Sequence, residues 1–219
     1  MKNQMLLIAA ALLISAGCKS EIDNKPAATV TEPVTQTATQ TAAQTAAQAP
    51  AEELKELALV ADGSSIGFVG AKVTGDHTGG FKTFTGKGFL SADGKLAKTE
   101  FEVDTTSIFT DTEKLTTHLR SPDFFDVEKF PKASFVSTKI VEAPGEGKTH
   151  DITGDMTIRE ITKTITFPAI VKAEGDTAMA ISEFTLKRSD FGIVYAGKPD
   201  DLIKEEVLMK ISLKMSKAQ

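Results

Sequence analysis

Alternation of apolar and polar residues with a period of two is the feature of this sequence that most restricts its fold. Near the C-terminus, apolar side chains occupy every second position from Val207 to Met215, and single residues such as Lys210 and Ser212 separate them. A period of two places alternate side chains on opposite faces of a β-strand. The pattern therefore predicts a strand with one buried face.

Segments of this kind recur along most of the chain after residue 60. Turn sequences such as Ala92-Asp93-Gly94-Lys95, Gly145-Glu146-Gly147 and Arg159-Glu160-Ile161 separate them, and no long strand-helix-strand alternation interrupts them. Closure removes the edges on which many strands would aggregate, so we expect an all-β, eight-stranded antiparallel β-barrel, with a β-sandwich as the alternative. The predicted strands cover residues 64–73, 81–92, 96–107, 133–142, 151–158, 163–173, 178–187 and 207–216.

One helix is predicted at residues 111–120. Thr110 with Glu113 three residues later has the spacing of a capping box. Leu115 and Leu119 lie four residues apart and so share one face of such a helix. A short helix between the third and fourth strands is placed to cover one end of the barrel.

Residues 1–17 have the pattern of an export signal. An apolar run of thirteen residues extends from Met5 to Gly17, and as a helix it is only about 20 Å long, too short for a hydrocarbon core of about 30 Å. Ser15-Ala16-Gly17-Cys18 resembles a bacterial lipobox, which implies a lipoprotein signal peptide and lipidation of Cys18, the only cysteine. Ser15 stands where the lipobox usually has Leu, and a plain secretory signal is the alternative.

The composition of residues 27–51 predicts no packed structure. Ala, Thr, Gln and Pro fill 22 of these 25 positions, which leaves too little apolar surface to bury. We therefore expect residues 18–56 to be a lipidated Cys followed by a disordered tether whose deletion barely alters unfolding, and residues 57–219 to form the domain. Because Lys19 and Ser20 are not the Asp of an inner-membrane retention signal, we expect an anchor on the periplasmic face of the outer membrane, in a bacterial cell envelope.

Charge and motif patterns argue against several functional classes. The formal net charge of −5 gives no basic surplus, so nucleic acid is not an expected partner. The three histidines have no metal-ligand spacing, so neither a metal nor a cofactor is expected. A G-x-S-x-G match at residues 63–67 lacks the preceding strand and following helix of a nucleophile elbow. We expect no enzymatic activity, and the oligomeric state is left open.

Two cationic residues lie in phase with the apolar face. Arg188 continues the register of Leu186, and Lys72 continues that of Phe68. A buried cation needs a partner, so each predicts either a salt bridge to an inward carboxylate or capture of an anionic or carbonyl head group. The apolar residues themselves allow either a filled core or a cavity. The inward set predicted from the alternation is Ile66, Phe68, Phe89, Phe101, Val103, Phe135, Met156, Ile158, Phe167, Phe184, Leu186, Met209 and Ile211.

Three segments resemble the YceI-like family of envelope proteins. They read His-Leu-Arg-Ser-Pro-Asp-Phe-Phe-Asp at 118–126, Thr-Gly-Asp-Met-Thr-Ile at 153–158 and Arg-Ser-Asp-Phe-Gly-Ile at 188–193. The resemblance implies a lipocalin-like barrel that binds an isoprenoid chain, such as a polyprenyl phosphate or a quinone tail, in an apolar cavity. Glu160, where the family hairpin commonly has Gly, and residues 72–79 depart from the pattern.

With this resemblance, the inward residues become candidate ligand contacts, and Phe167 and Phe184 are expected to line the cavity. Two alternatives stay open: an enzyme acting on a lipid-like substrate through Lys72, His77 or Arg188, and a packed structural lipoprotein without ligand. The candidate ligand-binding residues are Phe68, Phe89, Phe101, Phe135, Met156, Phe167, Phe184, Leu186, Met209, Arg188 and Lys72.

Overall fold

The computed structural model describes residues 20–33 and 53–217. The signal-like run and Cys18 lie outside these residues. The elements, in chain order, are β1 (Thr29–Thr31), β2 (Lys55–Leu59), β3 (Ser65–Lys72), β4 (Gly75–Phe81), β5 (Phe84–Leu90), β6 (Leu96–Asp104), β7 (Ile108–Thr110), α1 (Glu113–Arg120), β8 (Lys132–Gly145), β9 (Lys148–Ile158), β10 (Ile161–Glu174), β11 (Thr177–Lys187), β12 (Gly197–Lys198) and β13 (Asp201–Ser216).

Eight of these strands close into an antiparallel barrel, which confirms the predicted fold. The circuit runs β2-β5-β6-β8-β9-β10-β11-β13 and returns to β2. One edge of β13 is shared: β2 pairs with Met215 and Ser216, and β3 pairs with Ile203 to Ser212. From β3 the sheet continues through β4 to β7, so β13 is the strand from which the wall branches.

The three predicted turns are all present. Gly94 and Gly147 adopt φ values of +80° and +70° in the β5–β6 and β8–β9 connections. The β9–β10 hairpin is formed by Arg159 and Glu160, with φ values of +52° and +64°. A two-residue hairpin turn with positive φ at both positions matches the twist of its strands but normally uses Gly or Asn. This turn therefore carries backbone strain.

The helix begins two residues later than predicted, and its capping box is absent. Thr112 is the N-cap and makes no side-chain capping bond. Thr110 belongs to β7, and its hydroxyl donates to the Thr112 carbonyl oxygen at 2.8 Å. Pairing of β7 with β4 takes Thr110 away from the helix terminus. The predicted capping role of Thr110 is therefore wrong, although α1 itself is confirmed.

Residues 20–33 of the predicted tether pack against the barrel, so disorder is wrong for them, whereas residues 34–52 of that prediction lie outside the described residues. Ile22 is only 5% exposed and forms a cluster with Val69, Ala71 and Leu208. The chain then crosses to the seam between β10 and β11, which pair with each other only at residues 170–174 and 177–181. Strand β2 begins at Lys55, two residues before the predicted boundary at residue 57.

Backbone pairing fixes the same segment in the barrel wall. The Ala28 amide donates to the Thr185 carbonyl, and the Thr185 amide donates to that of Pro26, both at 2.8 Å. On the other side of the seam, β1 pairs with residues 164–166 of β10. Composition could not indicate this docking, because the strand edges that receive the segment are supplied by residues far along the chain. Among the described residues, no helix is both long and apolar enough to cross a membrane.

Candidate functional site

The barrel contains a cavity of about 270 Å³ at the end covered by α1. The strands β3, β6, β9 and β11 contribute residues near their C-terminal ends, and β8 and β13 contribute residues near their N-terminal ends. We call this the cavity end of the barrel. Leu115 and Leu119 of α1 also line the cavity, so the amphipathic helix covers it as predicted. Its wall is almost entirely apolar.

Seven of the eleven predicted ligand-binding residues line this cavity. Alternation placed Phe101, Met156 and Leu186 correctly because β6, β9 and β11 continue to alternate up to the cavity end. The register of β3 with β13 shifts between Gly70 and Lys72, and Arg188 lies in a short 3-10 helix after β11. The seven are Phe68, Lys72, Phe101, Met156, Leu186, Arg188 and Met209.

Phe135, Phe167 and Phe184 face inward but do not line the cavity. Phe167 and Phe184 stack with ring centroids 4.3 Å apart and an interplanar angle of 11°, and Phe135 lies 5.5 Å from Phe167. These rings are almost completely buried and fill the barrel beyond the cavity. The prediction that Phe167 and Phe184 line the cavity is therefore wrong, since a period of two gives the face of a strand but not the depth at which side chains meet.

Phe89 is the one predicted site residue that lies away from the barrel interior. Its neighbours Gly88 and Leu90 are buried, whereas Phe89 is half-buried and has the Lys98 Nζ 5.2 Å from its ring centroid. The register of β5 with β6 shifts between Phe89 and Leu90. The extra residue of this bulge, Ala97, belongs to β6, so the alternation of β5 is not interrupted. Phe89 therefore lies on the outer face, and the inward positions beside it are occupied by Gly88 and Leu90. The predicted inward orientation of Phe89 is wrong, because glycine at an inward position removes the apolar signal.

Arg188 is the buried cation of the cavity wall. It is 7% exposed, and its guanidinium donates to the carbonyl oxygens of Ile193 at 2.9 Å, Lys204 at 3.1 Å and Ile203 at 3.4 Å. Burial lowers the pKa of this guanidinium, and the nearby Glu205 opposes the effect. Backbone carbonyls rather than the predicted inward carboxylate satisfy its donors, so the guanidinium keeps its positive charge against an apolar cavity.

Lys72 and His77 line the cavity from the β3–β4 hairpin. The Lys72 ammonium donates to Asp201 at 2.6 Å, and His77 Nδ1 lies 3.0 Å from the Asp111 carboxylate. The hydrogen bond from Lys72 lowers the pKa of Asp201 below its ordinary value. Lys72 therefore forms a salt bridge, which was one of its two predicted roles. Both side chains have carboxylate partners, which fits a positioning role at the rim better than a free acid or base.

Several cavity residues were not among the predicted ligand contacts. Phe81, Phe124, Phe125 and Phe191 lie in strand ends and loops, where no period exists to assign a face. Gly70 also lines the cavity, and a Cβ added there would meet no atom within 4 Å. Its position in phase with Phe68 and Lys72 is the one signal that could have identified it.

In the part of the chain that the structure describes, no three His, Cys, Asp or Glu side chains come together as potential metal ligands. The cavity offers apolar contact together with one buried guanidinium, a paired lysine and a paired histidine. Such a surface can hold a molecule with a hydrocarbon body and a polar end.

Sequence comparison gives relatives in Pseudomonas. The profile of the YceI-like domain family matches residues 57–215. A UPF0312 protein of Pseudomonas putida strain W619 is 38% identical over 122 residues, covering 52% of this chain and 62% of the relative. Another, from Pseudomonas fluorescens strain SBW25, is 33% identical over 139 residues, covering 60% of this chain and 71% of the relative. The chain thus spans about three fifths of the length of the first of these.

Solved structures share the fold. BcnA of Burkholderia cenocepacia superimposes with a TM-score of 0.62 at 24% identity, covering 71% of this chain and 98% of BcnA. A polyisoprenoid binding domain from Saccharophagus degradans gives a TM-score of 0.58 at 14% identity, covering 76% of this chain and all of that domain. The closed barrel and the family match over most of its length agree: this chain belongs to the YceI-like domain family.

Proposed function

We propose that this protein is a lipid-anchored protein of the bacterial cell envelope that binds an isoprenoid or similar apolar molecule in its barrel. The observation that carries the proposal is the apolar cavity at the α1 end, with Phe68, Met156 and Leu186 in its wall. The fold shared with a polyisoprenoid binding domain supports the ligand class. A polyprenyl phosphate or a quinone combines a hydrocarbon chain with a polar end, as the cavity requires.

The size of the cavity restricts the ligand. Its volume of about 270 Å³ is just below the ~300–1,000 Å³ typical of small-molecule sites. The stacked Phe167 and Phe184 block extension into the other half of the barrel. The cavity thus suits a short apolar chain, or one end of a longer chain whose remainder stays outside.

The polar end of the ligand is assigned to the vicinity of Arg188. The Arg188 guanidinium is buried and contacts three backbone carbonyls, with no carboxylate at ion-pair distance among the described residues. An anionic or carbonyl oxygen would therefore be favourable there. Farnesyl phosphate should therefore bind more tightly than farnesol, which has the same chain without the anionic group.

The anchor is assigned to Cys18 on the lipobox-like sequence, with the periplasmic face of the outer membrane as its proposed location. Two or more acyl chains would give stable attachment. Detergent phase partitioning tests this part alone, because Cys18→Ser should move the protein from the detergent phase to the aqueous phase. Equal partitioning of both proteins would contradict the anchor.

Native mass spectrometry with a cavity-filling variant tests ligand binding. Gly70→Leu places four carbon atoms in open cavity space, so it should lower occupancy by farnesyl phosphate at least tenfold while the domain stays folded. Thr85→Leu adds apolar bulk at an exposed position of β5 and should bind like the wild type. Equal occupancy in all three proteins would place the ligand elsewhere, and chemical conversion of the probe would favour an enzyme.

A further inference from the structure

Three apolar side chains are far more exposed than the other large apolar residues that the structure describes. Val73 is 73% exposed, Val194 72% and Leu202 51%, whereas no other exceeds 41%. Large exposed apolar groups that gather in one place mark contact surfaces, although single ones are ordinary. We call these three side chains the rim patch.

The rim patch surrounds the cavity end. Val73, Val194 and Leu202 each lie next in sequence to a residue of the cavity wall, namely Lys72, Ile193 and Ile203. Backbone hydrogen bonds join the three segments: the Val73 amide donates to the Leu202 carbonyl at 3.1 Å, and the Ile203 amide donates to the Ala196 carbonyl at 3.0 Å. The patch is thus one rim built from neighbouring turns.

The start of the described chain is fastened beside this rim. The Ser20 hydroxyl lies 2.8 Å from both carboxylate oxygens of Asp76, and the Glu21 amide donates to Asp76 at 2.9 Å. Asp76 belongs to the same hairpin as Val73, three positions along the chain. Burial of Ile22 against the outer barrel wall holds the following residues.

This attachment sets how far the barrel stands from its proposed anchor. Two residue steps separate Cys18 from Ser20, and two extended steps reach at most about 7 Å. The Ala/Thr/Gln-rich residues from 34 onward follow the docked segment in sequence, so they do not separate Cys18 from the barrel. A lipid on Cys18 would therefore hold the cavity end close to the bilayer.

We propose that the rim patch docks on the bilayer surface that carries the anchor, so that the cavity exchanges its ligand with the membrane. The proposal rests on the anchoring part of the proposed function. Two lysines near the rim are paired with carboxylates, Lys72 with Asp201 and Lys204 with Asp23, and the neighbouring Lys198 and Asp200 carry opposite charges. Apolar insertion rather than attraction to anionic lipids then drives the contact, and it should persist at high salt.

Fluorescence quenching in vesicles tests the docking. The lipidated full-length protein is reconstituted in phosphatidylethanolamine–phosphatidylglycerol vesicles containing spin-labelled lipid, with Leu202→Cys carrying a bimane label. Met179→Cys is the matched control, because Met179 is also apolar, is 40% exposed and lies near the β10–β11 turn at the opposite end. We expect quenching at position 202 to exceed that at 179 at least threefold, and to be unchanged in 0.5 M salt.

A second variant tests whether apolar side chains make the contact. Val73→Asp with Val194→Asp should lower quenching at position 202 to the level at 179, because carboxylates stay out of the interface. Mass analysis of the N-terminal peptide separates the two proposals. Equal quenching at 202 and 179 with an acylated Cys18 contradicts the docking alone. An unacylated Cys18 contradicts the anchoring and, with it, the docking.

Discussion

At the scale of single residues, substitutions in the two halves of the barrel should differ in effect: those beyond the cavity should lower stability, and those in the cavity wall should lower ligand occupancy. Phe167 is 4% exposed and stacks on Phe184, so Phe167→Ala should reduce the free energy of unfolding by about 3–5 kcal/mol. Ligand occupancy should change little, because the ring lies beyond the cavity. Urea unfolding and native mass spectrometry measure the two effects. Loss of ligand without loss of stability would show that the stack opens to admit it.

The Lys72–Asp201 ion pair should make the free energy of unfolding depend on pH in acid solution. The pKa of Asp201 is lowered in the folded state, so its ionised carboxylate stabilises the fold. This stabilisation is fully present above the unfolded pKa of ~3.9 and is lost as the pH falls through the folded pKa. Urea unfolding should therefore show the wild type exceeding Asp201→Asn in stability at pH 7, with the difference shrinking below about pH 4. The effect should be small for so exposed a pair.

Asp200→Asn is the control, since it removes the same charge at the neighbouring position. If Asp200→Asn reproduces the loss seen in Asp201→Asn, the pairing with Lys72 is not its cause.

Which residues face inward was predictable, but not what they contact there. Arg188 was placed on the inner face by its phase with Leu186, whereas its partners are backbone carbonyls of the loop after it and of β13. Every residue has a backbone carbonyl, so the sequence pattern could not show which carbonyls Arg188 would contact. Phe89 was placed inward wrongly, because glycine at positions 86 and 88 leaves the inward face of β5 without an apolar signal.

At the scale of elements, the β9–β10 hairpin carries a removable strain. Glu160 has a φ of +64°, a region that costs an L-residue with a Cβ about 1–2 kcal/mol. Glu160→Gly should therefore raise the free energy of unfolding by about 0.5–1 kcal/mol after the entropy of the freer unfolded chain is subtracted. Thermal and urea unfolding measure the gain. Glu160→Ala keeps the Cβ and should give none, so an equal gain in both would refute the backbone explanation.

Elements were predictable where their residues alternate and not where glycine replaces the apolar positions. β4 reads Gly-Asp-His-Thr-Gly-Gly-Phe and has no alternation to detect, yet it pairs with β3 over six residues. Close approach explains its composition: a Cβ at Gly79 would lie 2.5 Å from the Phe68 ring. Glycine is needed there because a side chain would overlap the neighbouring strand. Without apolar side chains, the alternation that predicts a strand is missing.

At the scale of the whole molecule, the N-terminal segment is part of the domain and should contribute to its stability. Ile22→Asp places a charge among Val69, Ala71 and Leu208 and should release residues 20–33, with a loss of about 2 kcal/mol in the free energy of unfolding. Hydrogen exchange at the Ala28 amide, now bonded to Thr185, should accelerate. Thr29→Asp, at an exposed position, is the control. Unchanged exchange in Ile22→Asp would restore the tether interpretation.

The seam between β10 and β11 also bears on the order in which the molecule is completed. The Thr31 hydroxyl donates to the Thr164 carbonyl, 133 positions later in the chain. Strand β1 is therefore synthesised long before the strands with which it pairs. Closing so long a loop carries an entropic cost that local hairpins avoid. The hairpins β8–β9 and β9–β10 can therefore form during synthesis, whereas the segment first made is expected to be the last to find its place.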